Sequence, residues 1–365
     1  MVDRNNRPAV ISPNVWIVAI VLLAIVVGVV AVLRTDRAGS GGTGLSDRFD
    51  YQIEQYKAID PALIRYDQTH EIPAGMQEAR AVDVGPEDRI YVAGDKAIHV
   101  FGSTGTRLAT ITLDGRPTCL AVGGAEHAFP GRAYVGVGRN VEVLDAEGRP
   151  AGTWEIPGKK AYPTSIAAAT DDVFVADYAN QVVLRYDVSG KVIGRIGRRD
   201  KERGIPGLVI PSPFFDVAVG PEGLVWVVNP GALRLEAYTF DGDLELFWGE
   251  AKAEVEGFFG CCNPAHFALL PDGRFVTAEK GLLRVKVYTA DGGFDCVVAG
   301  PEQLDSPAGV GGRSRIDHEF KAVDVAADSY ARILVLDLAA GKVRIYEPRK
   351  PVSEENGKGR MRNDA

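Results

Sequence analysis

The chain has 365 residues, 46% of them hydrophobic, with 42 Gly and 21 Pro, enough apolar surface for a sizeable core and many turn-formers. Its formal net charge of −8 argues against a general binder of nucleic-acid backbone, which needs a concentrated basic surface. The basic run from Arg198 to Arg203 reads as a solvated loop.

In chain order, residues 1–14 form a short N-terminal segment, and residues 15–33 are apolar or Gly without a charge. That length spans the ~30 Å hydrocarbon core of a bilayer as a helix. A cleaved signal peptide has a shorter apolar region and a small-residue cleavage site, whereas Arg34-Thr-Asp-Arg37 follows here. The expectation is a retained signal anchor that holds the chain to the membrane. Arg4 and Arg7 before the span balance Arg34 and Arg37 after it, so the positive-inside rule alone is a tie. A single span followed by a large domain favours an extracytoplasmic, periplasmic domain. Residues 34–48, containing Gly-Ser-Gly-Gly-Thr-Gly, read as a flexible tether, and residues 349–365 as a disordered tail.

Between these ends, residues 49–348 repeat one pattern six times, which indicates a stacked or radial repeat fold. The units fall at about 81–116, 117–161, 162–210, 211–258, 262–304 and 320–348 on this pattern. Alternating strands such as Val82/Val84 with Ile90/Val92 are punctuated by Pro86-Glu-Asp88, Pro221-Glu-Gly223 and Pro271-Asp-Gly273. Each unit therefore predicts four short antiparallel strands, an arrangement that limits exposed sheet edges when repeated radially. The last unit supplies only three. His70-Glu-Ile-Pro-Ala74 matches Trp154-Glu-Ile-Pro-Gly158, with Ile72 and Ile156 equally spaced from the inner strands at Val82 and Ile166. The N-terminal segment is expected to complete the sixth blade.

Asp172-Val-Phe-Val-Ala-Asp-Tyr-Ala-Asn-Gln-Val-Val-Leu-Arg-Tyr-Asp187 resembles the NHL repeat, with its Ala-Asp-x-x-Asn turn and a strand ending in an aromatic residue and Asp. The resemblance spans residues 62–348 and implies an all-β, six-bladed β-propeller. It does not imply one function, because related propellers bind proteins or RNA, and gluconolactonase-like and peptidyl-hydroxyglycine lyase members are metal-dependent enzymes.

Three constellations stand out. The turn residues Asp177, Asn229, Glu279 and Asp337 could converge on Ca²⁺ or another oxygen-seeking cation, or simply cap their turns. Cys261, Cys262 and His266 could ligate Zn or Cu. Alternatively, Cys261–Cys262 or Cys262–Cys296 could form a disulfide, or the cysteines could be packed as small hydrophobes. Gapless alignment of the inner strands places Asp216 and His266 in a ring otherwise made of Ala81, Cys119, Ser165 and Ala322. That pair could transfer protons or staple two blades.

The Gly-x-Ser-x-Gly, P-loop, His-Glu-x-x-His and haem-attachment motifs are absent, which weighs against an enzyme. The leading expectation is a membrane-tethered extracytoplasmic propeller that binds a protein partner or ligand on its long-loop face. Phe214, Phe215, Phe258 and Phe259 would anchor the partner, and no nucleic acid is expected. On that view the 251–258 loop could be deleted with little effect on stability. The alternatives are a metal-dependent hydrolase or lyase, and a redox or metal-handling protein built on the Cys261 region.

Overall fold

The computed structural model describes residues 54–260, 262–304 and 322–349. The apolar segment 15–33, the tether, Cys261 and the tail lie outside them. No helix among the described residues is long and apolar enough to cross a membrane.

The protein is an all-β, six-bladed propeller, and each blade is a four-stranded antiparallel sheet. Blade 1 comprises β2 (Ala79–Gly85), β3 (Arg89–Gly94), β4 (Ala97–Phe101) and β5 (Arg107–Thr112). Blade 2 comprises β6 (Pro117–Val122), β7 (Ala133–Val137), β8 (Asn140–Leu144) and β9 (Pro150–Glu155). Blade 3 comprises β10 (Pro163–Ala168), β11 (Asp172–Asp177), β12 (Val182–Asp187) and β13 (Val192–Ile196). Blade 4 comprises β14 (Val217–Val219), β15 (Val225–Asn229), β16 (Arg234–Tyr238) and β17 (Leu244–Trp248). Blade 5 comprises β18 (His266–Leu269), β19 (Phe275–Ala278), β20 (Val285–Tyr288) and β21 (Phe294–Ala299). Blade 6 comprises β22 (Val323–Ala327), β23 (Ile333–Asp337) and β24 (Lys342–Pro348), completed by β1 (Tyr66–Pro73). The innermost strands touch in cyclic order, β22 returning to β2.

Second strands such as β11, β15 and β23 are buried along nearly their whole length, because both faces of each blade meet a neighbouring blade. The core is therefore divided into six slabs, one between each adjacent pair of blades. The slabs are aromatic where outer strands meet: Trp154 stacks on Tyr186 at 5.5 Å, and Trp248 packs against Phe275 at 5.0 Å and Tyr288 at 4.8 Å. Close to the axis the chains crowd. A Cβ on Gly136 would lie 2.5 Å from the Cys119 sulfur, so β7 can pass β6 only as glycine.

The ring closes through β1, whose pairing with β24 runs from Tyr66↔Pro348 to Pro73↔Lys342, with one irregularity between Gln68 and His70. Ile72 is buried there among Ala74, Val82, Leu334, Leu336 and Val343, residues of both blade 6 and blade 1. Truncating it leaves a cavity at the one junction that joins the two ends of the chain. Ile72→Ala is expected to cost about 2–5 kcal/mol in denaturant unfolding, against a much smaller effect for Thr69→Ala on the exposed side of the same strand.

Candidate functional site

The beginnings of the inner strands and the turns between second and third strands lie on one face, where they surround a cavity of about 240 Å³. Its lining includes Glu78 and Arg80 of blade 1, Arg116 entering blade 2, Tyr162 and Phe214 entering blades 3 and 4, His266 of blade 5 and Leu338 of blade 6. Arg116 donates to Glu78 at 2.8 Å, and the Asp95 carboxylate is occupied by the backbone N–H groups of Gln77 and Glu78, each at 3.0 Å. Phe214 is packed with Ala265 and Ala322, its ring edge-on to His266 at 5.8 Å and under the Lys280 ammonium at 4.6 Å.

His266 also lines the axial channel below, a cavity of about 310 Å³ that contains Asp83, Asp216 and Asp324. Its Nδ1 lies 3.6 Å from Asp216 and 3.4 Å from Asp324, so blades 4, 5 and 6 meet at one imidazole. The three carboxylates have a common structural task. Asp83 accepts from Val122 N–H at 2.7 Å, Asp216 from Phe267 N–H at 2.9 Å, and Asp324 from Val82 N–H at 2.8 Å, in each case the next blade's inner strand. The second oxygen of each accepts the N–H of the residue that follows it. Uncharged equivalents serve elsewhere: Thr118 donates to Pro163 O and Thr164 to Phe215 O, both at 2.7 Å.

Burial shifts two of these carboxyls. It pushes the Asp83 carboxyl up to about 7 and Asp324 to about 6, with Asp216 adding to the rise in both and backbone donors opposing it. For His266 burial opposes the charged form, but Asp324 and Asp216 outweigh it and the pKa is raised.

The sequence alignment puts Asp216 and His266 in adjoining blades, as the structure does, but it passes over Asp83 and Asp324. These lie one layer further along the axis, where the equivalent positions are Ala121, Ala167, Ala218 and Ala268. The signal was the tetrapeptide Ala-Val-Asp-Val, which occurs at both Ala81–Val84 and Ala322–Val325.

The four turn residues are each engaged within their own blade and the loop that leads into it. Asp177 accepts from Tyr162 N–H at 3.0 Å and caps the turn at Ala179. Asn229 accepts from Val209 N–H and donates to Glu236. Asp337 accepts from Ala340 N–H and pairs with Arg344 at 2.8 Å. Glu279 accepts from Phe259 N–H and pairs with Arg284 at 2.8 Å and Lys286 at 2.7 Å, all three side chains being at most 1% exposed. No group of three or more His, Cys, Asp or Glu among the described residues is placed to hold a metal ion.

Three sequence expectations need correction. Phe215 and Phe258 are 1% exposed and belong to the slabs on either side of blade 4, so they cannot anchor a partner. Phe214 is buried at the mouth and Phe259 is half-buried against Tyr56. A Cys262–Cys296 bridge is not formed: Cys296 is a free thiol buried in the slab between blades 5 and 6, its pKa raised chiefly by burial. Nor is the 251–258 loop dispensable. Arg284 donates to Ala253 O, Lys286 to Val255 O and Gly257 O, and Tyr288 to Glu256 O, so the loop roofs two buried cations. Burial, with Arg284 nearby, lowers Lys286 to about 8 although Glu279 holds it.

No protein-family model matches the chain, and no curated protein matches it. Solved structures do share its fold. A structural-genomics protein of unknown function from Bacteroides thetaiotaomicron is 14% identical with a TM-score of 0.55, over 77% of this chain and 75% of that one. A streptogramin B lyase is 11% identical with a TM-score of 0.51, over 80% of this chain and 100% of that one. A catalytically inactive virginiamycin B lyase from Staphylococcus aureus, with quinupristin, is 13% identical with a TM-score of 0.49, over 73% and 80%. At such identities the likeness is one of fold.

Two outcomes follow from this geometry. Glu279→Ala strands Arg284 and Lys286 without a carboxylate and should cost about 3–5 kcal/mol, read by chemical denaturation, with Glu279→Gln milder. The raised pKa values of Asp83, Asp324 and His266 all have one sign. Each group binds its proton more tightly folded than unfolded, so its stabilisation is complete below the unfolded pKa and is lost as pH rises through the folded one. The thermal midpoint should therefore fall between about pH 5 and about pH 7.5, and the fall should shrink in the Asp83→Asn, Asp324→Asn double variant.

Proposed function

We propose that this chain is an NHL-like propeller, tethered to the membrane through residues 15–33 and facing the extracytoplasmic side, that binds a compact polar group at the mouth of its channel. The observation that carries the binding reading is the mouth itself: a concave site on the inter-blade face lined by two arginines, the aromatic rings of Tyr162 and Phe214, and a histidine. Ligand sites combine apolar walls with a few convergent polar groups in this way. At about 240 Å³ the cavity suits a small ligand or the tip of a loop from a protein partner, not an extended surface. The tether and its side of the membrane rest on the uncharged apolar run and the flexible segment after it.

A second reading, a hydrolase or lyase, draws on His266. An imidazole between two carboxylates and open to a cavity is suited to proton transfer.

The binding reading predicts that a photo-crosslinking side chain at Tyr162, in the full chain in its own membranes, captures one defined species. Capture should drop at least about tenfold in Arg116→Ala, a change at an exposed ion pair that leaves thermal unfolding nearly unchanged. Equal capture by wild type and variant would refute the mouth as the site. The enzymatic reading is separated by His266→Gln, which should abolish turnover of a captured small molecule while retaining its binding.

A further inference from the structure

The basic run at Arg198 to Arg203 lies far along the chain from the mouth residues of blades 1 and 2 and has no part in the site above. In the structure it borders a cleft of about 450 Å³ between the outer edges of blades 3 and 4. We propose that this cleft is an anion site that takes a phosphate group.

The chain builds the cleft deliberately. After β13 the backbone turns at Gly197, with φ +83°, where a Cβ would lie 2.3 Å from Leu208. The segment then folds back as a small hairpin, closed by Asp200 N–H to Ile205 O at 3.0 Å and Ile205 N–H to Asp200 O at 2.7 Å. The Asp200 carboxylate is used inside that hairpin, where Oδ1 accepts from Glu202 N–H at 3.0 Å and Arg203 N–H at 3.1 Å. Arg203 ties the hairpin to blade 4 by donating from Nε to Asp243 at 2.8 Å and from Nη2 to Asp241 O at 3.0 Å. Gly242 completes the far wall, its missing Cβ only 3.2 Å from the Arg195 carbonyl. Asp241, the other nearby carboxylate, pairs with Arg185 at 3.2 Å.

What remains is Arg195, Arg198 and Arg199, all exposed and all lining the cleft. Among the described residues none of the three has an ion-pair or hydrogen-bond partner for its guanidinium. Three like charges around one concavity repel one another; the carboxylates of Asp200, Asp241 and Asp243 are engaged with other groups, and Glu202 is paired with none of the three arginines. A tetrahedral oxyanion relieves that repulsion and matches the planar, forked donors of arginine. The concentration of cations is also out of keeping with a chain of net charge −8. Phosphate is the shared chemistry of two sources, a free phosphorylated solute and a phospholipid headgroup.

The test is calorimetric titration of the full chain in neutral detergent with two probes: inorganic pyrophosphate, and glycerophosphoglycerol as a soluble diester headgroup. Binding of pyrophosphate alone supports the site and assigns it to free phosphates. Binding of the diester as well supports it and assigns it to a headgroup. Arg198→Ala should weaken either by about tenfold, and the Arg195→Ala, Arg198→Ala, Arg199→Ala triple variant should abolish it. Thermal unfolding should be nearly unchanged, since these guanidinium groups have no ion pair or hydrogen bond to lose. An Arg198→Lys variant should recover part of the affinity, and added salt should weaken the wild type. No heat with either probe, or equal affinity in Arg198→Ala, overturns the proposal.

Discussion

Every blade of this propeller is apolar on both faces, and that single constraint governs the rest. A four-stranded sheet of this kind has no solvated side, so it is stable only between two others, and the requirement propagates until the ring closes. Closure depends on β1, which reaches blade 6 from the opposite end of the domain and buries Ile72 in the junction slab. Hydrophobic burial is non-directional, so it compresses the blades together without fixing their axial alignment. The alignment falls to the polar contacts near the axis.

Those contacts show how structural and functional demands share one set of residues. Asp83, Asp216 and Asp324 each bridge to the next blade's backbone, where an unpaired inner-strand N–H would be costly. Burial beside other carboxylates raises the cost of ionising Asp83 and Asp324, and His266 opposes that rise at Asp324. The same imidazole is exposed to the mouth cavity. A residue that stitches blades 4, 5 and 6 thus also lines both the channel and the mouth.

Blade 5 solves a different problem. Its entering loop carries Glu250, Glu254 and Glu256, and the blade answers from within with Arg284 and Lys286. These cations do not reach out to the acidic side chains; they bind the loop's carbonyl oxygens and share the buried Glu279. The loop consequently behaves as part of the core, with Phe258 as its apolar plug. Long loops on propellers invite a reading as mobile recognition elements, but here the buried charges hold the loop down.

The repeat, the strand count and the closing strand were legible in the chain because period-2 apolar patterns and Gly/Asp turns are local properties. So was the neighbourhood of Asp216 and His266, since gapless alignment of repeats is equivalent to superposing blades. Asp83 and Asp324 were within reach of the same alignment through the repeated Ala-Val-Asp-Val, but an Asp two residues into a strand reads as an exposed position until the axis is known. Whether Phe215 and Phe258 face solvent or a slab, and whether Arg203 and Asp243 meet across two blades, could not be read from the sequence at all. Sequence alone determined the elements and their order, because those follow from contacts within a few residues. Only the tertiary structure decided which side chains share a cavity, because burial and charge pairing depend on residues brought together from separate blades.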